Sequence, residues 1–225
     1  MIDTVLFDFV NTIAFLEPRR EDILCDYVES RTGTKLNKSQ VLAGFIRVDE
    51  RIPYSSVKIR NFQEKKDFYN NYNDELFREL NLEESSGFCD YYYSVKKGWV
   101  LDSQIVDLFR FLKSKEMRIG IVSNFDDNLE EILKRLEIRN MIDFVAVSQE
   151  IGLEKPDIKF YKYVQKGYNI DLDTTIYVGD SYNLDYVPSQ KAGYKSVLID
   201  RTNYYSSEQD KISCLKDIKK IINAS

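Results

Sequence analysis

The amino-acid sequence predicts an α/β fold: a doubly wound parallel sheet with an inserted helical cap domain. Two observations indicate this fold. In the second half of the chain, short β-branched runs alternate with segments whose apolar residues recur at helical spacing, which is typical of strands joined by crossover helices. An apolar run at the N-terminus is followed by a long segment with almost no strand pattern. The length of 225 residues accommodates one large domain with a smaller insert.

The predicted strands are apolar on both faces, as strands inside a covered parallel sheet are. In chain order they are Thr4–Phe9, Arg118–Val122, Phe144–Val147, Thr175–Val178 and Ser196–Ile199. Helices are predicted over Asp127–Leu136, Ile158–Val164, Leu184–Ala192 and about Asp210–Ile222. The alternation places helices on both faces of the sheet.

The segment 16–97 is predicted to form the helical cap. It is rich in Glu, Lys, Arg, Asn and Tyr, and its apolar residues recur at helical spacing, for example at Phe68, Tyr72 and Leu76. We therefore expect residues 1–15 and 98–225 to form the α/β core and residues 16–97 to form the inserted domain.

Composition excludes several classes of function. The chain contains no histidine, which rules out Ser-His-Asp and Cys-His catalysis and histidine-ligated metal sites. Acid–base chemistry must then come from carboxylates, lysines or tyrosines. The net charge of −5 provides no basic field, so we expect no binding to nucleic acid or to anionic membranes.

The cellular setting is predicted from cysteine use and apolar runs. The chain has three cysteines and no CxxC pair, which favours a reduced, intracellular protein. The first residues lack a basic stretch and hold Asp3 and Asp8 within the apolar run, unlike a signal peptide. The apolar runs are too short to cross a membrane. We expect a cytoplasmic protein.

Chemically active side chains follow the predicted strands. In an open parallel sheet, ligands bind beyond the carboxyl ends of the strands. Taken singly, such residues are more typical of turns, helix caps and solvated loops than of a site, but their recurrence at one edge of the sheet indicates a site. In chain order they are Asp8, Ser123 with Asn124, Lys155, and Asp180 with Asp185.

The residue types at this edge indicate phosphate chemistry. Clustered carboxylates repel one another and favour a bound cation. Without histidine or paired cysteine, an all-oxygen ligand set favours Mg²⁺. A cation beside a hydroxyl and a lysine is suited to phosphate oxygens. An aspartate held there can act as a nucleophile and form an aspartyl-phosphate.

The segments that carry these residues resemble the motifs of the haloacid dehalogenase-like (HAD) hydrolase superfamily, and the resemblance covers essentially the whole chain. The segment LFDFVNTI resembles the first motif, and IVSN resembles the second. The segment SQEIGLEKPDIKFY resembles the third motif with its lysine, and VGDSYNLDYVPSQKAGY resembles the fourth. The third and fourth motifs are highly specific in residue types and spacing. The 16–97 segment matches the helical cap of the C1-capped branch.

The resemblance implies catalytic and substrate-binding roles. Asp8 would be the covalent nucleophile. Ser123 would bind the transferring phosphoryl group, helped by Asn124. Lys155 would hold the phosphate and the nucleophile together. The cap would close over the substrate and select it.

The resemblance also implies a magnesium site with Asp8 and the backbone carbonyl of Val10 among its ligands. Asp180 would coordinate Mg²⁺ directly, and Asp185 would ligate it or position a water ligand. The resemblance therefore predicts a Mg²⁺-dependent hydrolase. Its expected substrate is a small phosphorylated metabolite, and we expect a monomer or homodimer.

Val10 departs from the pattern of phosphatases in this superfamily, which usually carry a second aspartate at that position as general acid and base. Loss of that group costs on the order of 10²–10⁴ in rate. Three explanations remain open: a phosphatase of low or narrow activity, a catalytically impaired protein that binds a ligand or partner, and other chemistry such as phosphonate or haloacid hydrolysis. Asp180 disfavours dehalogenation, because the dehalogenase-like pattern lacks it.

A second departure follows Asp185. The family often has a small Gly-Ala step there, whereas this chain has Val187, Pro188 and Ser189. Proline has no backbone N–H, so Pro188 is expected to start or interrupt the helix.

Overall fold

The computed structural model describes residues 1–52, 61–126, 128–205 and 210–224. The chain divides into two compact units. One unit joins Met1–Phe15 to Trp99–Ser225, and the other is Leu16–Gly98.

Strands and helices alternate in the order expected of an α/β fold. The strands are β1 (Thr4–Phe7), β2 (Ala14–Glu17), β3 (Gly98–Leu101), β4 (Arg118–Ser123), β5 (Phe144–Val147), β6 (Thr175–Gly179), β7 (Lys195–Ile199) and β8 (Lys211–Ile212). The helices are α1 (Arg20–Thr32), α2 (Lys38–Arg51), α3 (Phe62–Glu79), α4 (Phe88–Val95), α5 (Ile105–Ser114), α6 (Leu129–Arg135), α7 (Ser148–Ile151), α8 (Ile158–Gly167), α9 (Val187–Lys191) and α10 (Ile218–Ala224).

The main sheet is parallel throughout the described residues, with strand order β5-β4-β1-β6-β7-β8. The chain moves outward from β1 to β4 and β5, then returns to the other side of β1 to build β6, β7 and β8. The direction of winding therefore changes beside β1, which is where ligands bind in doubly wound sheets. The predicted fold class is confirmed.

Both faces of the main sheet are buried, which explains its unbroken apolar strands. Val5 and Phe7 of β1 belong to one apolar cluster, together with residues of α5, α6 and α10. Leu6, between them, belongs to a second cluster with residues of α8. Because successive side chains of a strand point to opposite faces, each face needs its own apolar layer.

The unit Leu16–Gly98 is helical in its described part and has its own apolar cluster. Tyr27, Phe45, Leu76 and Phe88, one from each of α1 to α4, lie within that cluster. The sequence pattern missed β2 and β3, which pair with each other as a separate two-stranded sheet. These strands have four residues each and contain the points where the chain passes between the units.

Two predicted helix starts differ from the structure. The helix expected from Leu184 is a wider, π-type turn over Tyr182–Tyr186 followed by α9. Pro188 lies in the first turn of α9, where a missing N–H breaks no hydrogen bond. The expected start at Asp127 lies outside the described residues, and α6 begins at Leu129.

The prediction of a helix from about Asp210 to Ile222 is wrong at its start. Lys211 and Ile212 form β8, which extends the sheet beside Leu198 and Ile199 of β7. The closing helix α10 begins only at Ile218. Pairing with the edge strand and burial of Ile212 outweigh the local helical pattern.

None of the described helices is both long and apolar enough to cross a membrane.

Asp200 fixes the loop that follows β7. Its buried carboxylate accepts hydrogen bonds from the backbone N–H groups of Tyr204 and Tyr205, both at 3.0 Å, and from Lys211 Nζ at 3.2 Å. Burial alone would raise the pKa of this carboxyl, but the hydrogen bonds hold the pKa below its ordinary value.

We predict that Asp200→Asn lowers the free energy of unfolding at pH 7, and that this deficit shrinks as the pH falls below about 4. A carboxyl with a depressed pKa stabilises the fold above its unfolded pKa and loses that contribution as it is protonated. Urea unfolding of both proteins between pH 3 and pH 7 measures the deficit. The control is Asp171→Asn, a change at an exposed aspartate. A deficit independent of pH would contradict the prediction.

Candidate active site

Lys155 lies at the centre of the candidate site. Although it belongs to the loop between α7 and α8, its side chain is only 2% exposed. Its Nζ donates to Asp8 Oδ1 at 2.7 Å and to Asp185 Oδ1 at 2.6 Å. Burial by itself would lower the pKa of the ammonium, but the carboxylates of Asp185 and Asp8 outweigh it and raise the pKa. The lysine is therefore held as a cation between two strand ends.

Asp8 follows β1 directly, and its backbone N–H continues the ladder by donating to Val178 O at 2.9 Å. Its Oδ1 accepts from Lys155 and also from Ser123 Oγ at 3.2 Å. No donor from the described residues reaches Oδ2, yet no buried, unpartnered side-chain oxygen occurs among them. Oδ2 of Asp8 is therefore in contact with solvent.

Ser123 is the last residue of β4, and Asn124 follows it directly. Asn124 Nδ2 donates to the carbonyl of Lys155 at 2.9 Å, and its Oδ1 accepts from the backbone N–H of Lys155 at 2.8 Å. This reciprocal pair fixes the lysine backbone, so Asn124 helps to aim the ammonium. Ser123 is buried, and the structure brings its hydroxyl to Asp8.

Asp185 is buried within the π-type turn and is held from several sides. Its Oδ1 accepts from Tyr177 OH at 3.0 Å, and its Oδ2 accepts from the backbone N–H of Ser181 at 3.2 Å. Burial raises the pKa of Asp185 to about 6, although Lys155 acts in the opposite direction. Gly179 leaves room for this carboxylate, since a Cβ there would lie 2.3 Å from its Cγ.

Thr12 does not follow a strand directly and was not predicted as a site residue. In the structure it is hydrogen-bonded to Asp180. Its Oγ1 donates to Asp180 Oδ1 at 3.2 Å and accepts from the Asp180 backbone N–H at 3.1 Å. Thr12 is fully buried. The only signal in the sequence is a small hydroxyl residue next to apolar Ile13, which is too common to single out.

Val10 lies in the turn after Asp8, where it forms an isolated bridge with Ala14. Its half-buried side chain packs against the apolar cluster of the α/β core. It brings no titratable group to the site.

Three carboxylates at this edge fit a divalent cation. Asp8, Asp180 and Asp185 each offer an oxygen, and these atoms lie within 4.8 Å of one another. Lys155 neutralises only part of their charge, so the cluster retains negative charge that a cation would balance. Hard oxygen ligands of this kind suit Mg²⁺.

Two curated relatives are similar to parts of this chain. Haloacid dehalogenase-like hydrolase domain-containing protein 3 of Mus musculus is 36% identical over 87 residues, 39% of this chain and 35% of that protein. Glyceraldehyde 3-phosphate phosphatase of Methanocaldococcus jannaschii is 34% identical over 106 residues, 45% of this chain and 45% of that protein. The aligned parts thus span less than half the length of these relatives.

Two solved structures are similar to this chain in fold. YfnB, a HAD-hydrolase from Bacillus subtilis solved with bound magnesium, has a TM-score of 0.67 and 17% identity, with 99% of both chains covered. The L-2-haloacid dehalogenase of Xanthobacter autotrophicus has a TM-score of 0.62 and 13% identity, with 99% of both chains covered. At these sequence identities the similarity shows a shared fold and does not identify the reaction.

The sequence profile of the haloacid dehalogenase-like hydrolases matches residues 5–199. This range begins within β1 and ends with β7, so it includes every residue of the candidate site. The chain belongs to the haloacid dehalogenase-like hydrolase family.

Proposed function

We propose that this chain is a Mg²⁺-dependent phosphatase that hydrolyses a small phosphorylated metabolite through an aspartyl-phosphate on Asp8. The observation that carries the proposal is the buried Lys155 ammonium, which contacts both Asp8 and Asp185 within 2.7 Å. The proximity of this cation to a nucleophile candidate and a carboxylate cluster supports the proposal.

The similarity to a glyceraldehyde 3-phosphate phosphatase supports phosphate ester chemistry for this chain. The aligned region covers less than half of either chain, so the proposal extends to phosphate monoesters as a class and leaves the metabolite open. Asp180 supports the same choice, because a carboxylate cluster that favours a cation suits a phosphoryl group with its several anionic oxygens.

In the proposed first step, Oδ2 of Asp8 attacks phosphorus. The bond from phosphorus to the leaving oxygen breaks, and that oxygen departs with the electron pair. Lys155 and Ser123 hold Oδ1, so the free oxygen keeps a fixed direction. Water then attacks phosphorus, and the bond from phosphorus to Asp8 Oδ2 breaks with its electron pair, which restores the carboxylate. Inorganic phosphate is released, and the proton lost by the water passes to the phosphate or to solvent.

The carboxylates that would hold Mg²⁺ are those of Asp8, Asp180 and Asp185. The resemblance to the family's first motif adds the backbone carbonyl of Val10 as a further proposed ligand. When bound, the ion would neutralise charge on the phosphoryl oxygens. Thr12 keeps Asp180 in place, and Tyr177 does the same for Asp185. Burial holds the pKa of Tyr177 well above its ordinary value, so its hydroxyl stays protonated and can donate.

Val10 shapes the expected range of substrates. Its side chain has no proton to give to a departing alkoxide. Leaving groups that are stable as anions, such as those of aryl and acyl phosphates, depend least on a general acid. We therefore expect faster turnover of such substrates than of sugar phosphates.

We predict that Asp8→Asn abolishes phosphate release, with a loss on the order of 10³-fold or more, because an amide is a poor nucleophile. The assay follows Mg²⁺-dependent phosphate release from an aryl phosphate and a sugar phosphate side by side.

The matched control for this variant is Asp200→Asn, since Asp200 is another buried strand-end aspartate but lies outside the carboxylate cluster. It is expected to retain turnover when folded, as judged by circular dichroism. Unchanged turnover in Asp8→Asn would reject the aspartyl-phosphate mechanism. If the wild-type protein released no phosphate from either substrate, the result would count against a phosphatase.

We predict that Val10→Asp raises turnover of alkyl phosphates more than that of aryl phosphates, by up to about 10²-fold, because it supplies a general acid. Val10→Asn is the matched control, similar in size but without a carboxyl group. The ratio of kcat for the two substrate types is the measured quantity. An equal gain in both variants would show that the effect comes from polarity rather than proton transfer.

A further inference from the structure

Arg201 binds the loop that follows the nucleophile candidate. It stands directly after Asp200 at the end of β7. Its Nη1 donates to the carbonyl of Asn11 at 2.7 Å, and its Nη2 donates to the carbonyl of Thr12 at 2.8 Å. These partners are about 190 positions away in the sequence, and all of them belong to the α/β unit.

The loop held by Arg201 is a tight turn. The carbonyl of Phe9 accepts from the backbone N–H groups of Ile13, at 3.1 Å, and Ala14, at 3.0 Å. Asn11 has a left-handed backbone with φ of 57°, a conformation that asparagine tolerates better than most residues. The turn directs two successive carbonyls toward the same guanidinium, and the fork of Arg201 matches both.

Asp102 holds Arg201 in this position. Its Oδ2 accepts from Arg201 Nη2 at 2.8 Å, and its backbone N–H donates to Ile13 O at 2.9 Å. The guanidinium carbon also lies 5.0 Å from the centre of the Phe15 ring. A half-buried guanidinium with a carboxylate, two carbonyls and a ring has few alternative orientations.

The turn connects Arg201 to the carboxylate cluster. Arg201 binds the carbonyl of Thr12. The Thr12 hydroxyl in turn donates to the Asp180 carboxylate and accepts from the Asp180 backbone N–H. Val10, whose carbonyl is a proposed metal ligand, lies in the same turn. A shift of the turn would therefore displace two of the proposed ligands together.

We propose that Arg201 is a positioning residue that sets the metal affinity of the site through the turn 9–14, with Asp102 as its partner. This inference rests on the proposed Mg²⁺-dependent function. Groups that orient metal ligands typically change metal affinity by 10–100-fold when removed. We expect Arg201→Met to raise the Kd for Mg²⁺ by about that factor.

Arg118 provides the matched control. It also donates to two backbone carbonyls, those of Tyr168 and Asn169, and it lies over the ring of Phe144 at 5.5 Å. However, it begins β4, at the end of the sheet opposite the carboxylate cluster. Arg118→Met therefore removes the same kind of contacts without touching the turn after Asp8.

The experiment measures two quantities in the full-length wild-type protein and both variants. Isothermal titration with Mg²⁺ gives the Kd, and amide hydrogen exchange in metal-free protein reports on the amides of residues 9–14. We expect Arg201→Met to weaken Mg²⁺ binding and to speed exchange in this turn. Arg118→Met is expected to leave both quantities at wild-type values, even if it lowers the melting temperature as much as Arg201→Met does.

The two failures are distinguishable. If the wild-type protein binds Mg²⁺ and Arg201→Met binds it equally well, the positioning role is rejected while the proposed function stands. Equal weakening in Arg118→Met would also reject it, because the effect would then follow general stability. A wild-type protein that fails to bind Mg²⁺ would reject both the positioning role and the metal-dependent function.

Discussion

The contact of one buried ammonium with two carboxylates is the interaction on which the site depends. Lys155 Nζ lies within 2.7 Å of both Asp8 and Asp185, and all three side chains are nearly excluded from solvent. A buried charge without partners is strongly destabilising, so each group requires the others. Removal of the lysine would leave two carboxylates that repel each other in a medium of low polarity. The loops after β1, β5 and β6 are thereby joined at one point.

Around this centre, neutral hydrogen-bonding groups hold the charged ones. Asn124 fixes the backbone of Lys155, Tyr177 fixes Asp185, and Thr12 fixes Asp180. Asn124 and Thr12 lie 31 and 168 positions from the residues they hold, whereas Tyr177 lies only eight positions from Asp185. Because all three carry no charge, and Thr12 and Tyr177 are also buried, they restrict motion at little electrostatic cost. The same logic extends to Arg201, which holds the turn that carries Thr12.

The family fold occurs in proteins described as hydrolases and as dehalogenases, so the proposed reaction rests on the residues at the sheet edge. Structures of similar fold include a magnesium-bound hydrolase and a haloacid dehalogenase. The cluster of three carboxylates favours a cation and therefore a phosphoryl group. In the proposed mechanism, Asp8 can attack phosphorus, whereas Val10 has no proton to give to the leaving group.

The sequence by itself determined the fold class and the approach of its strand ends. Asp8, Ser123, Lys155, Asp180 and Asp185 were predictable as neighbours, because the carboxyl ends of parallel strands meet at one edge whatever the intervening chain. Tertiary structure alone decided the partners of Thr12 and Arg201, which lie 168 and about 190 positions away. It also decided that Lys211 and Ile212 form a strand, since an edge position beside β7 outweighs local helical spacing. Hydrogen bonds between distant residues leave no periodic pattern in a sequence, whereas alternating strands and helices do.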